Sequence, residues 1–526
     1  MPLTLEQAVG QQFLLSFEGT DEIPKELKQI MQRQHVGGVI LFRHKNISTP
    51  PQVRELTSAL QQTAHDSGQP PVLIAADQEG GQLMAIGDGT PFPGNMALGA
   101  TLSENLAYAT GRALGRELSA LGVNVDFAPV CDVNNNPRNP VIGTRSFGED
   151  PRLVAKLSAA MIRGLQSAGV AATAKHFPGH GDTASDSHRG APVLKHDRRR
   201  IHSLELVPFR SAIQSNVRLI MPGHIIMPAL NGGSAEIPGT VSAEILQALL
   251  RRKMKFNGVV VSDALDMHAL EQGSGYIAEA MAAAHAGIDL LLFNHQLDRV
   301  EPAWANMVQA VRRGLLSEEA VRSSARRILD LKKWIAKQSR PQLEIVACEQ
   351  HQQLAQHIAR KSVTLVRNDA EELPLRVSPD AKIAVAVPVP DDLTPADTSS
   401  YVKIGLAEAL RRYHAAVAAV TFRLNPDPAD ISQVCEKLAS FDVVIVGTIN
   451  AAEHRGQAEL VKKLIRQSGR MITVALRMPY DLAAYPAART HICTYSILPP
   501  SMEALAEAIF GQIPFLGVLP VTLASR

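Results

Sequence analysis

The chain has 526 residues, with 53 Lys and Arg against 51 Asp and Glu, 45% hydrophobic residues and 20% charged ones. A net charge of +2 with no long basic run argues against nucleic acid or an anionic membrane as the main partner, and the composition excludes a disordered chain. The length exceeds what one small core uses, so more than one domain is expected.

Residues 1–20 lack a basic segment leading into a long apolar run, so no secretory signal is read there. No segment reaches the roughly 18 uncharged apolar residues of a membrane span. Cys131, Cys348, Cys435 and Cys493 are scattered without metal or disulfide spacing, which reads as free thiols in a cytoplasmic protein.

Short apolar runs then alternate with amphipathic stretches. The runs Phe13–Phe17, Gly37–Phe42, Pro71–Asp77, Val123–Asp132, Val170–His176, Leu219–His224, Val259–Asp263 and Ile288–Phe293 carry little alternation, as expected of parallel strands covered on both faces. Helical patterns such as Asn105–Leu121, Pro151–Ser167 and Val241–Lys253 separate them. The repeating βα units over residues 1–337 predict an α/β fold of the (β/α)8 TIM-barrel type. A doubly wound sheet is the competing topology, but no Gly-rich dinucleotide fingerprint opens a helix. Asp77, Asp132, His176, His224 and Asp263 each end a predicted strand, on the rim where barrel active sites are built.

After the helical pattern Ser317–Lys337, a polar linker with Pro341 over residues 338–345 leads into a second alternation. Its strand candidates are Val363–Val366, Lys382–Val387, Ala416–Thr421, Phe441–Gly447, Met471–Leu476 and His491–Tyr495, with helical patterns such as Gln457–Gln467 between them. They predict an αβα sandwich domain over residues 346–526.

The densest chemistry lies in Lys175–Thr183 and Asp186–His188, directly after an apolar run. His176, His180, His188, Asp182, Asp186 and Lys175 would each need a partner if buried, so the stretch reads as a site rather than core. Asp186 could fix the tautomer of His188 and free Nε2 for proton transfer; a solvated loop is the plainer reading of the same pair. Asp263 is either a nucleophile presented to the barrel mouth or the N-cap of the next helix. His176, His180, Asp182, Asp186 and His188 also offer metal ligands. Their H-x3-H spacing crosses Pro178-Gly179 instead of a helix face, so no metal is expected.

Five ordered motifs, DQEGG (Asp77–Gly81), NVDFAPVCDVNNNP (Asn124–Pro137), NPVIGTRSFGEDP (Asn139–Pro151), KHFPGHGDT with DSH (Lys175–His188) and VVVSDALDM (Val259–Met267), closely resemble family-3 glycoside hydrolases. More narrowly the chain is similar to the bacterial β-N-acetylglucosaminidases of that family, which act on peptidoglycan fragments. The likeness continues through KSVTLVRND (Lys361–Asp369) to the closing GVLPVTL (Gly517–Leu523), as in the two-domain forms.

The resemblance implies Asp263 as nucleophile, and Asp186 with His188 as the acid/base dyad in which the histidine transfers the proton. It implies that Asp77, Arg145, Lys175 and His176 hold the sugar, with His224 a further rim residue. The reaction implied is retaining hydrolysis without a cofactor, exo-acting on a GlcNAc-containing glycoside, by a monomer or homodimer. A β-glycosidase of other sugar specificity, an N-acetylglucosaminide phosphorylase and a non-catalytic sugar-binding homologue stand as alternatives. Many family-3 β-glucosidases draw their acid from a glutamate in the second domain; the DSH loop speaks against that here. One departure bears on sugar preference: where the group usually has an arginine after DxEGG, this chain has Ala85, which removes a fork of fixed donors.

Overall fold

The structure is a computed structural model, and it describes residues 3–184, 190–270, 275–294, 297–467 and 469–523. The first part is a parallel sheet of strands β1 (Phe13–Leu15), β2 (Gly38–Ile40), β3 (Leu73–Ala76), β4 (Val125–Asp126), β5 (Ala171–Phe177), β6 (Leu219–Pro222), β7 (Val259–Val260) and β8 (Leu291–Phe293). Each pairs with the next, β8 pairs with β1, and a parallel bridge from Val261 to Leu290 joins β7 to β8. The sheet is thereby a closed (β/α)8 barrel. Alternate residues along the strands divide between two cores: Leu14, Ile40, Leu73, Ala75 and Leu219 fill the interior, while Leu15, Val39, Ile74 and Ile220 pack outward. Both faces are buried, which is why these runs read as continuous apolar stretches.

Strand β4 is much shorter than the span Val123–Asp132 predicts. Pro129 has no N–H to give a ladder, and beyond it Val130 rejoins the sheet only through an isolated bridge to Lys175. A small hairpin, Gln78–Gly80 with Leu83–Met84, follows β3, too short for periodicity to mark. The outer helices follow from ordinary signals. Asp150 caps the helix Pro151–Ser167, whose Val154, Leu157, Met161 and Leu165 form one buried stripe. That helix lies against Glu104–Leu121 closely enough that a Cβ at Gly164 would stand 2.2 Å from the Tyr108 carbonyl oxygen.

The second part is a six-stranded sheet of β9 (Thr364–Asn368), β10 (Ile383–Pro388), β11 (Val417–Phe422), β12 (Val443–Thr448), β13 (Arg470–Ala475) and β14 (Thr490–Cys493) in the order β9-β14-β13-β12-β10-β11. Only β9 runs antiparallel to its neighbour. Val385, Val443, Ile445 and Val474 pack toward one helical layer and Ala384, Ala386, Val444 and Val446 toward the other, giving the αβα sandwich. Among the described residues no helix is long and apolar enough to cross a membrane.

Lys332, on the helix Glu318–Ile335, lies in the barrel's shell with Nζ donating to Gln11 Oε1 at 2.6 Å. Burial pulls its amine down from 10.5 to about 7. Between those values the unfolded chain holds a proton that the folded chain does not, so stability rises with pH across that window; below pH 7 the penalty is present in full. Lys332→Met is therefore expected to stabilise the protein by about 1–3 kcal/mol at pH 6, allowing for Gln11 losing its donor, and by less at pH 9. Denaturant midpoints at the two pH values check this.

Candidate active site

At the C-terminal ends of the barrel strands lies a cleft of about 680 Å³. Asp77 and Ala85 after β3, Arg145, Lys175 and His176 on β5, and Asp263 after β7 all line it. Strand β5 carries Lys175 into the mouth because its run of small residues, Ala171 to Ala174, packs tightly below. The paired glycines of DQEGG take φ of 79° and 63°, which a side chain rarely adopts, and turn the chain into the hairpin that follows.

A buried charge cluster forms the floor on the β3–β5 side. Glu79 accepts from Arg145 Nε at 2.9 Å and Nη2 at 2.7 Å, and its Oε1 also meets Lys175 Nζ at 2.6 Å. Lys175 Nζ reaches Asp77 Oδ1 at 2.6 Å. Burial pushes the Glu79 carboxyl up, but Arg145 and Lys175 outweigh it and hold the group down to about 2. Burial likewise opposes the Lys175 ammonium, and Asp77 and Glu79 more than restore it. Asp126 lies beneath, accepting from the Gln78 N–H at 3.0 Å, and burial raises its carboxyl well above the ordinary range. The cluster presents to the cleft fixed donors and acceptors whose own partners hold them still.

A second anchor is Asp132, which is fully buried. It accepts from the backbone N–H of His176 at 3.2 Å, from His176 Nδ1 at 2.8 Å and from the His180 N–H at 2.7 Å. Burial works against its charge, and the two histidines outweigh that to lower its carboxyl. His180 also lines the cleft; burial, then the neighbouring His176, pull it down to about 4, so it is a neutral imidazole near pH 7. The turn back from β5 fits only because residue 181 is glycine: a Cβ there would lie 1.8 Å from the Val133 carbonyl oxygen.

Asp263 follows β7, across the barrel from Asp77 at the end of β3, and its Oδ1 accepts from the Ala264 N–H at 2.8 Å. His224 is fully buried. Its Nε2 donates to the Ala264 carbonyl at 3.0 Å and its Nδ1 meets Thr240 Oγ1 at 2.7 Å, so it steadies the loop that carries Asp263 and does not line the cleft. Asp182 also lies away from the cleft, paired with His196 at 2.6 Å and Arg200 at 3.0 Å. With Glu205 it forms the one group of metal-type ligands among the described residues, and the Arg200 guanidinium already faces both carboxylates. Asp186 and His188 fall outside the described residues.

The structure thus gathers Asp77, Arg145, Lys175, His176 and Asp263 into one cleft. Glu79 and Asp132 carry no role in the sequence reading, yet Glu79 holds Arg145 and Lys175, and Asp132 holds His176. For Glu79 a signal existed: it follows Asp77 by two residues, which places both on one face of an extended chain.

Residues 4–331 match the profile described as "Glycosyl hydrolase family 3 N terminal domain". The chain is 33% identical to beta-hexosaminidase A of Pseudoalteromonas piscicida, covering 99% of this chain and 98% of that protein. It is 31% identical to a beta-N-acetylglucosaminidase/beta-glucosidase of Cellulomonas fimi, covering 98% and 93% respectively. Among solved structures, a glycoside hydrolase family 3 beta-N-acetylglucosaminidase from Paenibacillus sp. str. FPU-7 superposes with a TM-score of 0.93 at 37% identity over 99% of each chain.

Proposed function

Because the chain is a glycoside hydrolase belonging to glycosyl hydrolase family 3, we propose that it is an exo-acting retaining β-N-acetylglucosaminidase. It removes a non-reducing terminal β-N-acetylglucosamine from peptidoglycan or chitooligosaccharide fragments in the cytoplasm, with a catalytic barrel over residues 1–337, a linker over 338–345 and a second domain over 346–526. The observation that supports it most is the placement of Asp263 across a sugar-sized cleft from the Asp77–Glu79–Lys175–Arg145 cluster.

Asp77, Arg145, Lys175 and His176 hold the sugar's hydroxyls and fix the anomeric carbon against Asp263. Asp263 attacks that carbon while His188, oriented by Asp186, protonates the leaving oxygen. His188 then takes a proton from water, which releases the sugar with its configuration retained. His224 acts behind this, through the Ala264 backbone.

Turnover of a panel of nitrophenyl glycosides tests the sugar, with the β-N-acetylglucosaminide expected to be cleaved fastest; faster cleavage of another β-hexoside would reassign it. Product analysis with and without phosphate tests the acceptor. Free sugar in both is expected, and a sugar 1-phosphate would turn the assignment to a phosphorylase. A fluorosugar is expected to leave a covalent adduct on Asp263, seen by mass spectrometry; turnover with no adduct anywhere would remove the double-displacement mechanism.

A further inference from the structure

The cleft is not a property of the barrel alone. A segment of the second sheet's domain, between β10 and β11, supplies Asp392, Thr394, Thr398 and Tyr401 to its lining. That wall is keyed to the hairpin after β3. The Gln82 carbonyl accepts from Thr398 N at 2.8 Å and Oγ1 at 3.0 Å, and Gln82 Nε2 donates to the Ala396 carbonyl at 3.2 Å. Arg477 then ties Gln82 to Asp397, at 2.5 Å and 2.7 Å. These bonds, gathered on Ala396, Asp397 and Thr398, key the wall to the hairpin.

Arg43, at the C-terminal end of β2, faces this wall. Its guanidinium carbon lies 4.1 Å from the centre of the Tyr401 ring, a cation–π contact that joins the two sheets' domains. Gly87 leaves room for it, since a Cβ there would stand 2.4 Å from Arg43 Nη2. Asp88 and Asp392 are the charges that face it. Among the described residues the Arg43 side chain makes no hydrogen bond or ion pair, although it lines the same cleft as Asp77 and Lys175 and is only partly exposed. The adjoining part of the lining, Leu83 and Ala85, offers no side-chain donor. A planar fork of five N–H donors, held by a ring and left without acceptors of its own, is built for an oxygen-bearing ligand.

We propose that Arg43, propped by Tyr401 of the second domain, is a sugar-binding, specificity-determining residue that hydrogen-bonds a hydroxyl at the end of the terminal sugar remote from the reacting carbon. The direction follows from the barrel. Asp263 follows β7, which stands opposite β3, and Arg43 opens the short helix Arg43–Asn46 that follows β2, beside β3, so a ring with its anomeric carbon at Asp263 points its 4- and 6-hydroxyls toward Arg43. The same wall closes the cleft beyond those hydroxyls, which suits removal of a terminal unit.

The inference rests on the reading that Asp77, Arg145 and Lys175 hold the sugar. The test is therefore run on whichever aryl β-hexoside the wild-type enzyme cleaves, so an error in the sugar's identity and an error about Arg43 are seen separately. Arg43→Ala is expected to lower kcat/KM on the parent substrate by about 10–100-fold, the worth of a hydrogen bond to a charged group, chiefly through KM. On either the 4-deoxy or the 6-deoxy substrate the same variant is expected to lose far less, because the partner oxygen is already gone. Arg43→Lys should fall between, and Tyr401→Ala should show the same substrate pattern more weakly. Should Arg43→Ala not fold, Arg43→Lys and Arg43→Gln carry the same comparison. An unchanged kcat/KM on the parent, or an equal loss across the 3-, 4- and 6-deoxy substrates, would overturn the proposal.

Discussion

Asp263→Gly is expected to lower kcat on the aryl β-N-acetylglucosaminide by about 10,000-fold or more, with the protein folded and the sugar still bound. Asp263 lines the cleft, where its Oδ1 accepts from the Ala264 N–H, so its removal opens space at the face of the cleft that the nucleophile occupies. Restoring a nucleophile from solution separates its role from that of an acid or base. Azide entering the vacated face would displace the aryl group once and give the α-glycosyl azide. In His188→Gly, by contrast, the covalent intermediate still forms on Asp263 and azide would attack from the opposite face, giving the β-azide. A β-azide from Asp263→Gly, or turnover within tenfold of wild type, would remove Asp263 from the nucleophile's role.

Glu79→Ala should be the most damaging change to the site that leaves every proposed sugar-contacting residue in place. Glu79 is 2% exposed and neutralises two cations that are 5% and 2% exposed, Arg145 and Lys175. Removing one partner from such a cluster costs about 3–5 kcal/mol, because the charges left behind stay out of water. With Arg145 without its carboxylate and Lys175 held by Asp77 alone, kcat/KM is expected to fall by about 100-fold, since a small misplacement of positioning groups has an effect of that size. Denaturant unfolding and kinetics at a permissive temperature measure the two losses separately. The pH dependence carries the same signature. Glu79 is held down to about 2 in the folded protein against 4.5 for an ordinary glutamate. Its contribution is therefore whole above about pH 4.5 and lost as the pH falls toward 2, so the variant's stability should fall less steeply across that range. A variant as stable as the wild type at pH 7 would show that the cluster does not depend on Glu79.

Much of the architecture was legible because its signals are local. The eight apolar runs of the barrel and the six of the sandwich are each found as strands, and in the barrel the parallel strands are apolar on both sides because both faces are buried. Where a predicted strand fell furthest short, at Val123–Asp132, Pro129 interrupts the ladder. The motif residues Asp77, Lys175, His176 and Asp263 were legible for a related reason: a polar side chain that ends an apolar run on the barrel's rim has few bland explanations.

Partnership between distant side chains was not legible. Glu79 meets Arg145 across 66 positions, and Lys175 meets Asp77 across 98, only because the sheet closes. Nothing in the spacing near His224 says that its ring is sealed between Thr240 and the Ala264 backbone, out of the cleft. The Arg43–Tyr401 contact is further still from any local pattern, since it joins short helical turns of two different domains. Periodicity and capping act over a few residues, so the chain by itself determined which segments are strands, which are helices and which polar groups reach the barrel's rim. Which of those groups hold one another, and which wall the second domain adds to the cleft, was decided only when closure of the barrel and docking of the sandwich brought remote segments within hydrogen-bond reach.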